Sequence, residues 1–273
     1  SLREMLLKAK SAIAIIQARM SSQRLPGKVL MPLGGTPMIH EIYSRAMSCR
    51  LVDQVIIATS SESSDDELAE YCRKNHLNIY RGSLNNVLSR FTDILADAAY
   101  KYVVRITGDC PLIHPPFIDA QIEALEQNDG DLIYLSTESV ILSGQGVISS
   151  RALLHAMDNT NDPVDLEHVG SRYFIDNWDE FRYVQLIIPE YFVQHSYRLT
   201  VDEFNDYKLL DQLFSRTWEH ATPGLIEAVS WLSVQNKVDL VNDDIEESLI
   251  NQEIASKKNI FKPSLVGTFD WNA

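Results

Sequence analysis

From Ala12 to Leu135 the chain alternates short β-rich apolar runs with segments of helical spacing, and this alternation constrains the fold more than any other feature. Two parallel strands need a crossover of a dozen residues or more between them, and a helix supplies it. Ala12 to Gln17, Val55 to Thr59, Asn78 to Arg81, Tyr102 to Thr107 and Asp131 to Leu135 read as strands. Between them the sequence predicts four helices: Thr36-Pro37 to about Met47 with Thr36 as its cap, a capping box Ser64-Asp65-Asp66-Glu67 running to about Asn75, Asn86 to Ala99, and Pro115 or Pro116 to Gln127. The expectation is an α/β fold, three layers α/β/α and Rossmann-like, with a mostly parallel central sheet.

Later segments are less regular. Residues 140–190 read as hairpins with a helix near Glu167 to Asn177, facing a second substrate or a second subunit. Arg198 to Glu203 has strand-like alternation, and helices are predicted around Tyr207 to Phe214, Glu227 to Gln235 and Asp244 to Ala255. With 273 residues, one domain over 12–255 is expected, with an N-terminal extension 1–11 of helical spacing and a tail 256–273 draped over the surface.

The net charge of −14 argues against a nucleic-acid partner, whose phosphates demand a basic footprint. Three cysteines without zinc-type spacing predict a reduced, cytoplasmic setting, and Cys110 reads as a packing residue. There is no apolar run of the ~18 residues that a membrane span needs.

Within this acidic chain, the first strand opens directly into Gln17-Ala18-Arg19-Met20-Ser21-Ser22-Gln23-Arg24-Leu25-Pro26-Gly27-Lys28. Small residues keep the backbone N–H groups accessible, while Arg19, Arg24 and Lys28 bring three cations. A loop of this kind at the carboxyl end of a strand is built to receive a polyphosphate, the alternative being an ordinary basic surface loop. It is neither a Walker A sequence nor G-x-G-x-x-G. The strand through Arg105, Ile106 and Thr107 ends in Gly108-Asp109-Cys110-Pro111, which sets a carboxylate at the lip of the sheet. Asp109 there suits Mg²⁺ shared with phosphates, or else it caps the following turn. Asp202, in Leu199-Thr200-Val201-Asp202-Glu203, is the candidate second metal ligand, or else it opens the next helix.

Together, QARMSSQRLPGKVL, IYRGSLNNVLSRF, VVRITGDCPLI, LEHV and RLTVD, in this order, resemble the spore coat polysaccharide biosynthesis protein F group of the cytidylyltransferase family. That group is similar to the acylneuraminate and 3-deoxy-manno-octulosonate cytidylyltransferases. The resemblance covers about Ala12 to Glu253 and implies a glycosyltransferase-A-like fold, Mg²⁺ and CTP, with CMP passed to a sugar or sugar acid for surface polysaccharide synthesis. By position it implies that Gln17, Ala18, Arg19, Ser21, Ser22, Arg24, Lys28, Thr107 and Gly108 bind the nucleotide. Arg24, Lys28 and Asp109 take catalytic roles, and Asp109 and Asp202 hold the metal. Arg81, Arg105, Glu167 and His168 face the acceptor, Arg81 alternatively forming a surface ion pair, and a homodimer is implied.

The chain departs from the group at several positions. Asn86 stands where an acid is usual, His114 where Asp precedes Pro115, and Leu166-Glu167-His168-Val169-Gly170 where Arg-Glu-His-Val-Thr is usual. The acid common after the glycine turn is missing from Gly144-Gln145-Gly146-Val147-Ile148. These changes fall mainly on the acceptor side, and three rival readings follow: another nucleoside triphosphate, a phosphorylated acceptor, or a binding protein without turnover. A nucleotide-sugar glycosyltransferase is disfavoured, because three cations exceed what a diphosphate needs.

Overall fold

The computed structural model describes residues 10–135, 137–234 and 265–268. Strand β1 (Lys10–Gln17) lies inside an eight-stranded sheet. Ala12, Ala14 and Ile16 pack to one face and Ile13 and Ile15 to the other, all buried, as a strand covered by helices on both sides requires. After the cation loop come a hairpin, β2 (Pro32–Leu33) with β3 (Thr36–Pro37), and helix α1 (Met38–Met47). The crossovers continue through β4 (Val52–Ser60), α2 (Asp66–Lys74), β5 (Ile79–Gly82), α3 (Val87–Asp97) and β6 (Tyr100–Thr107). Then follow α4 (Pro115–Asn128), β7 (Leu132–Leu135), β8 (Gln145–Ser149), α5 (Ser150–Asn159), α6 (Pro163–Glu167) and α7 (Ser171–Asp176). The rest comprises β9 (Tyr183–Ile187), α8 (Glu190–Val193), α9 (Phe204–Phe214), α10 (Leu225–Val234) and β10 (Leu265–Thr268).

The strand order is β10-β9-β7-β8-β6-β1-β4-β5. Only β8, among the described strands of this sheet, runs antiparallel to its neighbours β6 and β7. Side chains of α1, α2, α4, α9 and α10 cover one face and those of α3, α5 and α7 the other, which gives the three-layer α/β/α arrangement. Because β4 and β5 extend the sheet on one side of β1 and β6 returns on the other, the chain reverses direction beside β1. Ligands of open α/β sheets gather at such a switch point, at the carboxyl ends of the strands.

Several local expectations differ from the structure. Thr36 and Pro37 form β3 and not a helix start; α1 begins at Met38 without a side-chain cap. The capping box at Ser64 is replaced by a single 3₁₀ turn, Ser63–Asp65, whose Asp65 turns inward. The helix expected from Glu167 to Asn177 is split between α6 and α7, because Val169 and Gly170 both take left-handed φ, of 57° and 75°. Arg198 to Glu203 is irregular and not a strand; Val201 N–H reaches only the carbonyl of Asp109, at 2.8 Å. Part of the tail does not drape over the surface: Leu265–Thr268 pairs in parallel with β9. The helices expected near the N-terminus and over Asp244 to Ala255 lie outside the described residues.

Candidate active site

Gln17 and Thr107 are register partners at the ends of β1 and β6. Gly108 N–H donates to Gln17 O at 2.9 Å, so the cation loop and the Asp109 loop leave the sheet side by side. A Cβ at Gly108 would stand 2.9 Å from Gln17 O and 3.0 Å from the Ala18 side chain, so this approach needs glycine. Beyond Ala18 the loop closes on a narrow neck, where Gly27 N–H donates to Met20 O at 2.8 Å. Gly27 holds φ at 72°, a turn that ordinary side chains resist, and Lys28 follows it at the start of a 3₁₀ turn. Inside the neck, among the described residues, the N–H groups of Ser21, Ser22, Gln23 and Arg24 donate to no protein acceptor. Consecutive open N–H groups flanked by cations are what an anion-binding cradle requires.

Lys28 does not face outward with its neighbours. It is 7 % exposed, and its Nζ donates to Asp109 Oδ2 at 2.9 Å, to Val201 O at 2.6 Å and to Asp202 Oδ1 at 3.3 Å. Arg24 pairs with the same Asp202 oxygen at 2.9 Å from an exposed position. One lysine thus gathers the two carboxylates expected to hold metal, although 93 residues separate them in sequence (202 − 109). Both carboxylates stay partly open to solvent. Among the described residues no third His, Cys, Asp or Glu completes a metal cage. Two hard oxygen donors beside a phosphate cradle suit Mg²⁺, which takes its remaining ligands from phosphate and water.

Asp202 is placed by a clamp absent from the expected site. Buried Asp206 receives two hydrogen bonds from Arg198 Nη2, at 2.7 and 2.8 Å, and further ones from the N–H groups of Asp202 and Glu203, at 3.0 and 2.8 Å. Burial pushes the Asp206 carboxyl up, but these donors outweigh it and hold the group below the usual carboxylate range. The clamp sits at the start of α9, and α9 is fastened to the β2–β3 hairpin. Tyr207 OH donates to Pro32 O at 2.8 Å, and Gly34 N–H donates to Asp211 Oδ1 at 2.9 Å. The hairpin that follows Lys28 is therefore tied to the helix that follows Asp202.

A second group lies on the opposite side of the loop. Arg105 Nε donates to Gln17 Oε1 at 2.9 Å, its only hydrogen bond among the described residues. Burial lowers its guanidinium to about 10, which leaves it charged at neutral pH. Gly146 is its cross-strand partner on β8, and a Cβ there would meet nothing within 4 Å. Arg19 pairs with Glu167 at 3.5 Å, both exposed. His168 is lowered by burial and then by Arg105 and Arg19, against the opposing pull of Glu167. Arg105, Glu167, His168 and Arg19 thus form one neighbourhood beside the cradle.

Other residues are committed elsewhere. Arg81 donates to Ser60 O and Glu62 O at 2.9 and 2.8 Å and pairs with Asp66 at 2.8 Å, which binds β5 to the turn before α2. Buried Arg90 serves the carbonyls of Ser83, Leu84 and Ala58. Asn86 caps α3 by accepting from Ser89 N–H at 2.8 Å. Thr107 Oγ1 donates to Cys110 Sγ at 3.2 Å, and that buried thiol is pushed up to about 12, first by burial and then by Asp109. A thiol so raised is no nucleophile at neutral pH. Ser22 Oγ accepts from Leu25 N–H at 3.4 Å, while Ser21 is exposed.

A loop of open N–H groups flanked by cations, beside a carboxylate pair at the switch point of an α/β sheet, fits a nucleotide-binding protein of the nucleotidyltransferase kind. The chain belongs to the cytidylyltransferase family, whose profile matches residues 13–245. It is 31% identical over 224 residues to the spore coat polysaccharide biosynthesis protein SpsF of Bacillus subtilis, covering 80% of this chain and 92% of that protein. It is 37% identical over 119 residues to the 3-deoxy-manno-octulosonate cytidylyltransferase of Geobacter sulfurreducens, covering 42% of this chain and 45% of that one. Among solved structures, a cytidylyltransferase from Leptospira borgpetersenii superposes with a TM-score of 0.75 at 26% identity, covering 87% of this chain and 99% of that one. The chain is accordingly a cytidylyltransferase enzyme, and the expected family and fold both hold.

Proposed function

We propose that the enzyme moves CMP from CTP to a hydroxyl of a sugar acid, releasing pyrophosphate, as a step of surface polysaccharide synthesis. The observation that carries this reading is the convergence of Lys28, Arg24, Asp109 and Asp202 at the mouth of the Ser21–Arg24 cradle. The cradle N–H groups and Arg19 grip the triphosphate. Arg24 and Lys28 stand where charge builds on the leaving pyrophosphate, and fixed cations aimed at developing charge are among the strongest contributions to catalysis. The chemistry needs no covalent enzyme intermediate, in keeping with the protonated Cys110 thiol.

Asp109 and Asp202 are the residues that would hold Mg²⁺. The ion, when bound, would neutralise phosphate charge. On the other side, Arg105 over the open floor at Gly146 offers a cation for the acceptor's carboxylate. His168, kept uncharged at neutral pH, offers a ring nitrogen that can accept a hydrogen bond from an acceptor hydroxyl. The enzyme is proposed to work in the cytoplasm as a homodimer, without nucleic acid or membrane; no helix among the described residues is long and apolar enough to cross a membrane. Pyrophosphate release from CTP and Mg²⁺ across a panel including 3-deoxy-manno-octulosonate and N-acetylneuraminate tests the proposal. Release that depends on one sugar acid supports it, and release from a neutral or phosphorylated sugar alone contradicts the acceptor assignment.

A further inference from the structure

We propose that Asp65 is the positioning residue of the cation loop: it holds the neck of the cradle in register with the sheet and so sets affinity for the triphosphate. The proposal rests on reading that loop as the CTP cradle. Asp65 is fully buried, at 0 % exposure, and a carboxylate in that position costs several kcal/mol unless its oxygens are met. Both are met by groups at the ends of two neighbouring parallel strands. Oδ1 accepts Met20 N–H at 2.7 Å; Oδ2 accepts Ser60 N–H at 3.1 Å and the Ser60 hydroxyl. Arg90, 2 % exposed, adds a compensating charge that feels Asp65.

Met20 anchors the loop. Its N–H is given to Asp65 and its C=O receives Gly27 N–H, so both backbone groups at the base of the loop are fixed. The loop that carries Ser21 to Arg24 hangs from this point, and Lys28 begins the turn just beyond it. An aspartate in the turn after β4 therefore controls where the free N–H groups and Lys28 point. Ser60 gives the comparison: its hydroxyl bonds the same carboxylate but holds no part of the loop.

The test compares Asp65→Asn, Asp65→Glu and Ser60→Ala with wild type for CTP dissociation constant, KM for CTP, KM for the acceptor and unfolding midpoint. Asp65→Asn is expected to weaken CTP binding about tenfold or more, since misplacement by ~1 Å costs up to ~100-fold in such sites, and to leave the acceptor KM unchanged. Ser60→Ala is expected to lower the unfolding midpoint while CTP affinity stays near wild type. Asp65→Glu, which keeps the charge and moves the oxygens by one methylene, is expected to resemble Asp65→Asn and replaces it should the amide fail to fold. CTP affinity equal to wild type in either folded Asp65 variant, or an equal loss in Ser60→Ala, would overturn the proposal.

Hydrogen exchange on the wild type needs no variant. The Met20 amide is expected to be protected before any ligand is added, with Ser21 to Arg24 exchanging fast until CTP and Mg²⁺ protect them. Fast exchange at Met20 would overturn the proposal. Failure of wild type to bind CTP would instead remove the functional reading and leave the protection pattern of the free protein to be judged separately.

Discussion

Lys28 and Asp109 meet at 2.9 Å across 81 positions of sequence, and the same ammonium reaches Asp202 at 3.3 Å. The loop after the first strand, the lip of β6 and the segment before α9 are thereby joined by one side chain. A lysine suits this place because its ammonium is a point charge on a flexible stem, able to move from carboxylates to phosphate.

Lys28→Met separates the catalytic from the structural contribution of this cluster. The variant is expected to lose about 100- to 1000-fold in kcat with CTP saturating, the range for removing one preorganised charge stabiliser. The partly exposed carboxylates can recover water, so the stability loss is expected to stay near 1–2 kcal/mol. Urea unfolding beside steady-state kinetics gives both numbers; a large stability loss with kcat intact would make Lys28 a structural residue.

Arg198→Met tests the clamp beneath Asp202 through pH. The Asp206 carboxyl is held low in the folded chain, so its contribution is complete above the unfolded value, about 4, and is lost as pH falls through the lower folded value. Wild type should therefore exceed the variant by about 3–5 kcal/mol at pH 7, as expected when a buried pair loses one partner. The gap should narrow below about pH 4. Unfolding midpoints at pH 7 and pH 3 check this, and a gap that widens with acid would contradict it.

Gly34→Ala addresses the strap between the hairpin and α9. Gly34 has a φ of 58°, and a Cβ there would stand 2.6 Å from Phe214 O. Strain and collision together should cost about 2 kcal/mol or more, read as a drop in unfolding midpoint.

Gly146→Asp probes the acceptor side. The added Cβ meets open space, so the fold should tolerate it with a melting temperature within about 2 °C of wild type, as for an unstrained surface change. A carboxylate across from Arg105 would neutralise the proposed acceptor cation, and KM for a sugar acid should rise about tenfold, the worth of one charge-assisted hydrogen bond. CTP affinity should not change.

Cys110→Ser should keep activity within about threefold, the thiol being protonated and unreactive at neutral pH. Rapid alkylation of Cys110 in the folded enzyme would contradict its burial.

The sheet was legible because burial on both faces writes long apolar runs such as Ala12 to Ile16, bounded by turn residues. Lys28 and Asp109 were legible as neighbours because their loops leave two apolar runs that read as strands, whereas Asp202 was named from a strand-like alternation that is irregular in the structure. Asp65 was not: Ser64-Asp65-Asp66-Glu67 is a sound local helix start, and only the tertiary approach of Met20 turns Asp65 inward. Asp206 does begin α9, as an acid in the first turn and part of a capping box with Glu203; its second role, as the partner of Arg198, was not legible. Arg81 was read as facing the acceptor, from its strand end and the family resemblance, or else as forming a surface ion pair; it does pair with Asp66, and the carbonyls of Ser60 and Glu62 take its other donors. For Asp65 and Arg81 the missing information is packing between segments distant in sequence, which no local pattern carries.

A thermal-shift titration of wild type and Asp109→Ala with CTP, GTP, UTP and ATP, each with and without Mg²⁺, asks whether the Ser21–Lys28 loop with Asp109 and Asp202 forms a CTP site. Ligand at about a hundred times its dissociation constant should stabilise the fold by ~2.7 kcal/mol. Wild type is expected to show a selective, Mg²⁺-dependent upward shift with CTP that Asp109→Ala, folded, does not show; no shift with any triphosphate, or an equal shift in the variant, would exclude this site.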